Sequence, residues 1–334
     1  MKPITFSHRL SRRDLVLLLS STLMAPLTVS ANQAYPSRPV TLVVPYPPGG
    51  AADLLGRLLA EQLSRRWGQP VVIDNKVGAS GQIGTEYVGK AKGDPYKLVI
   101  GTQAVFSVLP SLNKRTDFNL ETGYSPISLL IEMPSVLMVP ASLGVNTTEE
   151  LIALLKAGKP FQYAYSSNGP GTSQQLIAAD FFEKIGVQLT HVPYKGSSQA
   201  LTALAAGDQI IVSVDNVPSA TPLIQSGKVK ALAVTASSRV SKFPDIRTVA
   251  ESGVAGFDQS TWMGIMAPPG IPQDVQLFLN REIRAVMASS VAQQTLAQHG
   301  FLARTGSPAD FQKFVAAETA ALRKLLERLQ LLEG

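Results

Sequence analysis

Residues 40–63 read VTLVVPYPPGGAADLLGRLLAEQL. The first five are apolar or β-branched, as in a buried strand, and leucines recur at helical spacing from Leu54 to Leu63. A turn rich in proline and glycine, residues 45–53, separates the two patterns. A strand, a short turn and a helix in this order begin a parallel α/β unit.

The same alternation continues along the chain and predicts the α/β fold class. A Pro/Gly-rich passage at 267–272 then leads into two amphipathic helices, predicted at 273–289 and 308–332. No low-complexity linker interrupts the pattern, which favours two lobes joined by crossing strands over separate beads. Further strands are predicted at 71–73, 97–101, 136–139, 162–165, 189–192, 210–214 and 229–235.

The composition is that of a globular protein with two domains: 334 residues, 45% hydrophobic and 16% charged. The net charge of +6 is concentrated near the amino terminus, since Lys2, Arg9, Arg12 and Arg13 against Asp14 give the first 31 residues +3. The other 303 residues share the remaining +3, and no run of Lys or Arg occurs there. A nucleic-acid partner is therefore not expected.

The amino terminus has the pattern of a signal peptide at residues 1–31. Arginines precede an apolar run at 15–29, and small residues follow it. The run is shorter than the roughly 20 residues that a transmembrane helix needs. The pair Arg12 and Arg13 also resembles a twin-arginine signal, so both export routes stay open. Cleavage after Ala31 or Ala34 and a periplasmic location are predicted.

A search for catalytic groups finds little. The chain has no cysteine, and after the export signal only His191 and His299 could serve as histidine ligands or bases. There is no Gly-x-Ser-x-Gly motif, and the Ser-x-x-Lys match at 111–114 lacks its companion motifs. The spacing Gly-x4-Gly-Lys at 84–90 is not followed by Ser or Thr. The sequence predicts no enzyme, no metal and no cofactor.

The turn at 45–53 could bind an anion. Gly49 and Gly50 let the backbone approach a ligand, and the start of the following helix offers unpaired N–H groups. The same residues could instead simply form a tight turn, and the loop alone does not separate the two interpretations. An acid at position 53 is more typical of a helix cap than of a ligand contact.

Three similar turns follow other predicted strands, at 78–84, 101–104 and 166–173. Ligands of open α/β sheets bind at the carboxyl ends of strands, so turns from two lobes are expected to converge on one cleft. Thr172 and Ser173 are hydroxyl donors at a helix start there, and helix capping is the alternative role.

A series of short motifs resembles the Bug family, the periplasmic solute receptors of tripartite tricarboxylate transporters. The resemblance covers nearly the whole chain after the export signal. It implies a two-lobed type II periplasmic binding protein fold with hinged lobes, lobe 1 at 35–136 plus 240–334 and lobe 2 at 137–239. The motifs are YPSRPV at 35–40, the turn at 45–53, GQIG at 81–84, HVPYKG at 191–196, DNVPSA at 215–220, and WMG at 262–264 with Ala267 and Pro268.

The resemblance also implies that backbone amides, rather than an arginine, hold a small carboxylate. Departures at Ala52, Val77 and Ser80 leave the identity of the acid open. For Lys195 and Asp215 a solvated surface charge and a helix cap are the alternatives. The candidate ligand-binding residues are Tyr46, Pro48, Gly49, Gly50, Asp53, Gly81, Thr102, Gln103, Asn168, Thr172, Ser173, Lys195 and Asp215.

The expected function is a monomeric receptor that delivers an organic acid, an acidic amino acid or an aromatic acid to permease subunits in the membrane. A sensor that reports the same ligand to the periplasmic domain of a histidine kinase is one alternative. A periplasmic enzyme acting on a carboxylate is another.

Overall fold

The structure is a computed structural model that describes residues 35–113, 118, 120 and 122–328. The predicted export signal lies outside the described residues. From Arg38 onward the chain forms one compact unit. In chain order, the strands of this unit are β1 (Val40–Val44), β2 (Val71–Asn75), β3 (Lys97–Thr102), β4 (Ser125–Pro140), β5 (Ala164–Ser167), β6 (Thr190–Pro193), β7 (Ile210–Asn216), β8 (Val229–Val234), β9 (Ser260–Ala267) and β10 (Leu302–Ala303).

The helices alternate with these strands through most of the chain. A π-helical turn at Ala104–Val108 leads directly into the short third α-helix. The α-helices are α1 (Ala51–Trp67), α2 (Gln82–Gly89), α3 (Leu109–Asn113), α4 (Thr148–Ala157), α5 (Ser173–Ile185), α6 (Ser197–Ala206), α7 (Val217–Gln225), α8 (Gln273–Met287), α9 (Ser290–Gln298) and α10 (Pro308–Arg328).

The strands follow the order β2-β1-β3-β9-β4-β7-β5-β6, and β8 and β10 also pair with β4. On one side of β4, β1, β2 and β3 are parallel. On the other side, β5, β6 and β7 are parallel. Parallel strands are connected by helices that pack against them. Each group of parallel strands, together with its helices, therefore forms one lobe.

Strand β4 joins the two lobes. It is 16 residues long and pairs with β9 as far as Pro134, then with β7 and β8 from Ser135 and Val136 onward. The crossing is fixed by two hydrogen bonds: Ser135 N–H donates to the hydroxyl of Thr235 at 2.9 Å, and Thr235 N–H donates to the Ser135 carbonyl at 2.9 Å. The returning chain therefore crosses beside β4.

Each lobe has its own aromatic core. In the first lobe Phe106 meets Tyr124 edge-to-face, with ring centroids 5.0 Å apart. In the second, Phe181 meets Phe257 in the same way at 6.1 Å. Phe257 and Val249 thus pack with the second lobe, although the predicted boundary gave residues from 240 onward to the first. The lobe boundaries stay a prediction.

Helix α10 contacts both lobes. Phe311 packs against Trp262 of β9 with ring centroids 5.5 Å apart. Further along, Leu326 packs with Leu176 of α5, and Arg328 forms an ion pair with Glu183 at 2.7 Å. The last helix therefore spans the two lobes, where the sequence pattern predicts only a core-facing stripe.

The α/β class and the two-lobed fold are confirmed, but sequence reasoning missed strand β9 and the first eleven residues of β4. Pro126, Pro134 and Gly264 interrupt the apolar patterns of these segments, and such residues argue against a central strand. Because β9 and β4 pair antiparallel, the sheets are mixed rather than wholly parallel. Helix α9 was not predicted either. In the described residues no helix is long and apolar enough to cross a membrane.

Candidate functional site

The carboxyl ends of the parallel strands meet between the lobes. Because β1, β2 and β3 run in one direction, the turns that follow them share one edge of the first lobe. The turns after β5, β6 and β7 share an edge of the second lobe. One hydrogen bond connects the two edges: the Ser173 hydroxyl at the start of α5 donates to Gln103 Oε1 just after β3, at 2.7 Å.

The turn at 45–53 is held by Asp53, whose side chain is buried. Its Oδ2 accepts from Gly49 N–H at 2.9 Å and from Arg57 Nε at 2.8 Å. Its Oδ1 accepts from Arg57 at 3.1 Å and from Asn75 Nδ2 at 3.0 Å. The hydrogen bonds from Arg57, with those from Gly49 and Asn75, lower the Asp53 pKa from 3.8 to about 2 although burial opposes them.

These bonds bear on the predicted roles of two residues. Asp53, in the first turn of α1, accepts from the N–H of Gly49 just before the N-cap, which resembles a capping box and agrees with the expected cap role. Its bonds disfavour a direct contact between Asp53 and a ligand, and they occupy the Gly49 N–H. Gly50 is the N-cap, so the N–H groups of Ala51 and Ala52 open the helix and lack carbonyl partners within it.

Pro48, Gly49 and Gly50 are exposed. Gly50 has φ of −84°, which other residues adopt, whereas Gly49 has φ of +90° and requires glycine. The exposed turn and the positive end of the helix dipole together are features that suit the binding of an anion.

Tyr46, Thr102 and Gly81 meet beside this turn. The Tyr46 hydroxyl lies 2.9 Å from Thr102 Oγ1 and donates to the Ser80 carbonyl at 3.1 Å. Burial raises the pKa of the Tyr46 phenol. A Cβ at Gly81 would stand 2.9 Å from the same hydroxyl oxygen, so glycine there allows the tyrosine its position. The structure thus brings turns from β1, β2 and β3 together.

Gln103 is the centre of a network that sequence reasoning did not predict. Its Nε2 donates to Glu318 Oε1 at 2.6 Å and to the Ser260 carbonyl at 3.3 Å. Ser107 and the indole N–H of Trp262 donate to the other oxygen of Glu318. Burial raises the Glu318 pKa. A carboxylate from α10 thereby orients Gln103 so that its Oε1 faces Ser173.

In the second lobe, Asn168, Ser197 and Asp215 form a chain of side-chain hydrogen bonds. Asn168 Nδ2 donates to the Ser197 hydroxyl at 2.9 Å, and that hydroxyl donates to Asp215 Oδ1 at 3.0 Å. Asn216 N–H donates to the same oxygen at 2.7 Å. Asp215 is fully buried, and burial raises its pKa from 3.8 to about 6.

The other predicted residues of the second lobe have different surroundings. The Thr172 hydroxyl is the N-cap of α5, accepting from Gln175 N–H and donating to the Gly169 carbonyl at 2.8 Å. This favours the capping role. Lys195 is exposed and forms no ion pair with the described residues, which favours a solvated charge.

Ser167 and His191 lie close enough to resemble a catalytic pair, with Oγ and Nε2 2.6 Å apart. Gly171 N–H donates to Gln175 Oε1 at 2.6 Å, so the Nε2 of Gln175 is the atom that faces His191 Nδ1. His191 Nδ1 is then an acceptor, and its Nε2 carries the proton and donates to Ser167. A histidine in this tautomer does not activate the serine, and Ser167 is fully buried. The predicted satisfied histidine agrees with these contacts.

No group of His, Asp and Glu in the described part of the chain has the arrangement of a metal site. A cavity of about 1040 Å³ lies elsewhere in the second lobe, among Tyr163, Leu189 and Thr190. These residues are at the amino-terminal ends of β5 and β6, opposite to the strand ends at which α/β sheets bind ligands.

Most of the chain matches a known family of receptors. Residues 55–331 match the family described as the tripartite tricarboxylate transporter family receptor. The chain belongs to this family. A relative, the protein BugT of Bordetella pertussis (strain Tohama I), is 33% identical over 304 residues, which cover 91% of this chain and 92% of BugT. The family's members are solute-binding receptors.

Solved structures of the family have the same fold. The structure of R. palustris Rpa4515 with adipate is 34% identical in sequence, with a TM-score of 0.76, and the match covers 88% of this chain and 97% of that one. MatC from Rhodopseudomonas palustris, with bound malate, is 27% identical with a TM-score of 0.72. The match covers 87% of this chain and 100% of MatC. The resemblance to the Bug family is thus confirmed.

Sequence reasoning missed Ser197, Glu318 and Asn75 as residues of the site. Ser197 has a usable signal, because it follows Gly196 at the start of a helix after a strand. Glu318 gives a weaker one, an acid within the helical stripe that contains Phe314 and Val315. Asn75 ends β2, which was predicted to stop at residue 73.

Proposed function

We propose that this protein is a monomeric periplasmic receptor that binds a small carboxylate between its lobes and delivers it to a tripartite tricarboxylate-type permease. The observation that carries the proposal is the convergence of the two strand-end edges, connected by Ser173 and Gln103, beside the opening of α1. Adipate and malate in the two related structures are carboxylates, which supports the same ligand class here.

In the proposed complex the carboxylate lies at the start of α1. The N–H groups of Ala51 and Ala52 lack helical partners, and the helix dipole favours an anion there. Arg57 is paired with Asp53, so the guanidinium serves the turn rather than the ligand. Backbone amides are then the main donors to the acid, as the resemblance implies.

We further propose that the lobes divide at Pro134 and Ser135 on the outward crossing and near Gln259 on the return. The change of strand partners within β4 supports the first boundary. The packing of Val249 and Phe257 with the second lobe supports the second. Closure of the lobes about these crossings would bring the ligand between the two edges.

The proposal includes no catalysis, since the Ser167–His191 pair has the wrong tautomer for a nucleophile. We also propose that the predicted signal peptide at 1–31 directs export of the protein. The function as a sensor for a histidine kinase involves the same ligand site, and no contact in the described residues favours it.

The test is thermal unfolding of the purified protein with a panel of di- and tricarboxylates, acidic amino acids and aromatic acids. A ligand at about 100 times its Kd should stabilise the protein by about 2.7 kcal/mol, which raises Tm by a few degrees. The proposal fails if no acid in the panel raises Tm and the purified protein carries no bound acid. Recovery of the ligand chemically changed would favour the enzyme instead.

A further inference from the structure

The chain Asn168–Ser197–Asp215 contains two buried acceptors that have no donor. Asn168 Oδ1 and Asp215 Oδ2 are inaccessible to solvent and form no hydrogen bond within the described part of the chain. Buried polar atoms of this kind are rare, because an unpaired acceptor loses its hydration without compensation. Their presence at the carboxyl ends of β5 and β7 therefore needs an explanation.

The orientation of the Asn168 amide follows from its neighbours. Ser197 donates its single hydroxyl proton to Asp215 Oδ1 at 3.0 Å. The Ser197 oxygen can then only accept, so the Asn168 group that faces it must be the NH₂, at 2.9 Å. The Oδ1 of Asn168 is consequently left without a partner, and exchanging the amide atoms would break the chain.

Asp215 also lacks a positive partner. It forms no ion pair within the described residues. Ser197 and Asn216 donate to its Oδ1, and the nearby Asn168 amide also favours its charged form, but none of these groups is a cation. The nearest basic residue along the adjoining turn, Lys195, is exposed. In the first lobe Asp53 forms an ion pair with Arg57, whereas no arginine or lysine among the described residues pairs with Asp215. Within the described residues Oδ2 therefore remains open to a donor from a ligand.

The position of the pair is that of a ligand contact. Asp215 pairs with Val136 next to the β4 crossing, and Asn216 accepts from Ser135 Oγ at 3.2 Å. Asn168 lies in the turn that also contains Ser173, whose hydroxyl reaches Gln103 of the first lobe. A ligand carboxylate at the start of α1 would thus have its other end directed to this edge.

We propose that Asp215 and Asn168 select carboxylate ligands that also carry a hydrogen-bond donor, either a hydroxyl or an ammonium group. This inference rests on the proposed function and narrows its ligand class. The donor pairs with Asp215 Oδ2 and, where it has a second hydrogen, with Asn168 Oδ1. A plain dicarboxylate such as adipate offers no donor and leaves both acceptors unpaired.

The experiment compares ligands that differ only in the donor. Binding of succinate, malate and aspartate, and of adipate, 2-hydroxyadipate and 2-aminoadipate, is measured by calorimetry with the purified protein. In at least one series the hydroxy or amino acid should bind about tenfold tighter than the plain diacid, as expected for a hydrogen bond to a charged group. Whichever of the hydroxy acid and the amino acid binds more tightly identifies the donor as a hydroxyl or an ammonium group.

Two variants test whether these residues cause the preference. Asp215→Asn removes the charged acceptor for the ligand's donor, so the preference should fall below about threefold. Asn168→Leu removes one acceptor at similar volume and should reduce the preference while plain diacids keep their affinity. Ser198→Ala, an exposed position on the same helix, is the matched control and should change neither.

The outcomes separate this inference from the proposed function. Equal binding of plain and donor-bearing diacids overturns the inference alone, because a carboxylate site would remain. An equal loss for all ligands in Asp215→Asn, in a variant that is folded, also overturns it, since the residue would then act only on the shape of the site. No binding by any member of either series overturns both.

Discussion

Asp53 in the first lobe and Asp215 in the second are both buried carboxylates beside the proposed ligand site, and their pKa values shift in opposite directions. Hydrogen bonds from Arg57, Gly49 and Asn75 lower the Asp53 pKa to about 2. Burial without a cation raises the Asp215 pKa to about 6. The Asp53 carboxylate accepts hydrogen bonds that hold a turn of the protein, whereas Asp215 keeps one oxygen that can accept a hydrogen bond from a ligand.

The comparison indicates that the two lobes have different roles in ligand binding. The first lobe is organised in advance, because its turn is fastened by bonds that exist without a ligand. The second lobe keeps unpaired acceptors, which cost stability in the free protein. Preorganisation reduces the entropy lost on binding, and unpaired groups give discrimination between ligands.

The largest expected effect is that of Gly50→Val on binding. The valine methyl groups would cover the open N–H groups at the start of α1, while φ of −84° at Gly50 allows a side chain. Binding of the acid identified in the panel should fall beyond about 100-fold, with Tm unchanged. Gly50→Ala is the matched control, because its Cβ would meet only the Pro47 carbonyl oxygen at 3.8 Å. Retained affinity in the valine variant would mean that the loop is only a turn.

Asp215→Asn should stabilise the free protein in a pH-dependent way. The raised pKa means that the folded protein binds more protons than the unfolded chain between pH 3.8 and about 6. The favourable contribution is therefore complete below pH 3.8 and is lost as pH rises through about 6. The variant has no carboxyl group here and does not lose this contribution. Its free energy of unfolding should therefore exceed that of the wild type by at most about 3 kcal/mol at pH 8 and by nearly zero at pH 3.5.

Urea unfolding of both proteins at several pH values measures this difference. An advantage independent of pH would contradict the explanation by an unpaired carboxylate. The same variant is expected to lose ligand discrimination, so stability and selectivity should change in opposite directions at this residue.

Asp53→Ala should destabilise the protein and weaken binding together. It removes the acceptor of Gly49, Asn75 and Arg57, and hydrogen bonds to a charged group contribute about 1.5–3 kcal/mol each in favourable cases. We expect a loss of about 2 kcal/mol in the free energy of unfolding and about tenfold in affinity.

Glu61→Ala is the matched control, because Glu61 forms an ion pair of the same i,i+4 spacing on the exposed face of the same helix. Its effect should stay below about 0.5 kcal/mol. If Asp53→Ala had an effect no larger than this control, the turn would not depend on its carboxylate.

The smallest expected effect is that of Ser173→Ala. This change removes the hydrogen bond that connects the lobes at 2.7 Å and leaves the N-cap of α5, which is Thr172, in place. A net contribution of about 1 kcal/mol corresponds to about a fivefold loss of affinity, measured by calorimetry. An unchanged affinity would show that the bond does not contribute to closure.

Much of the fold was predictable because it depends on local patterns. Helix α5 was predicted at the residues where it lies, since Thr172 and Gly186 cap it on both sides. Strand β9 was not, because Gly264 and its neighbours are stabilised as a strand only by pairing with β3 and β4. Helix α10 was predicted, but its contact with the second lobe depends on Arg328 meeting Glu183, which is far away in the sequence.

The local residue pattern is enough to show that strands end in polar and glycine-rich turns, and that one of these turns opens a helix suited to an anion. These features are local, since glycine, proline and hydroxyl residues act on their own backbone. Only the tertiary structure decided which polar groups are already paired. The Gly49 N–H is taken by Asp53, and Asp215 Oδ2 has no hydrogen-bond partner among the described residues. The bond between Gly49 and Asp53 is local, but Asn75 joins Asp53, and Asn168 joins Ser197, from distant segments. The pattern around each acid therefore does not reveal which of its oxygens remain for the ligand.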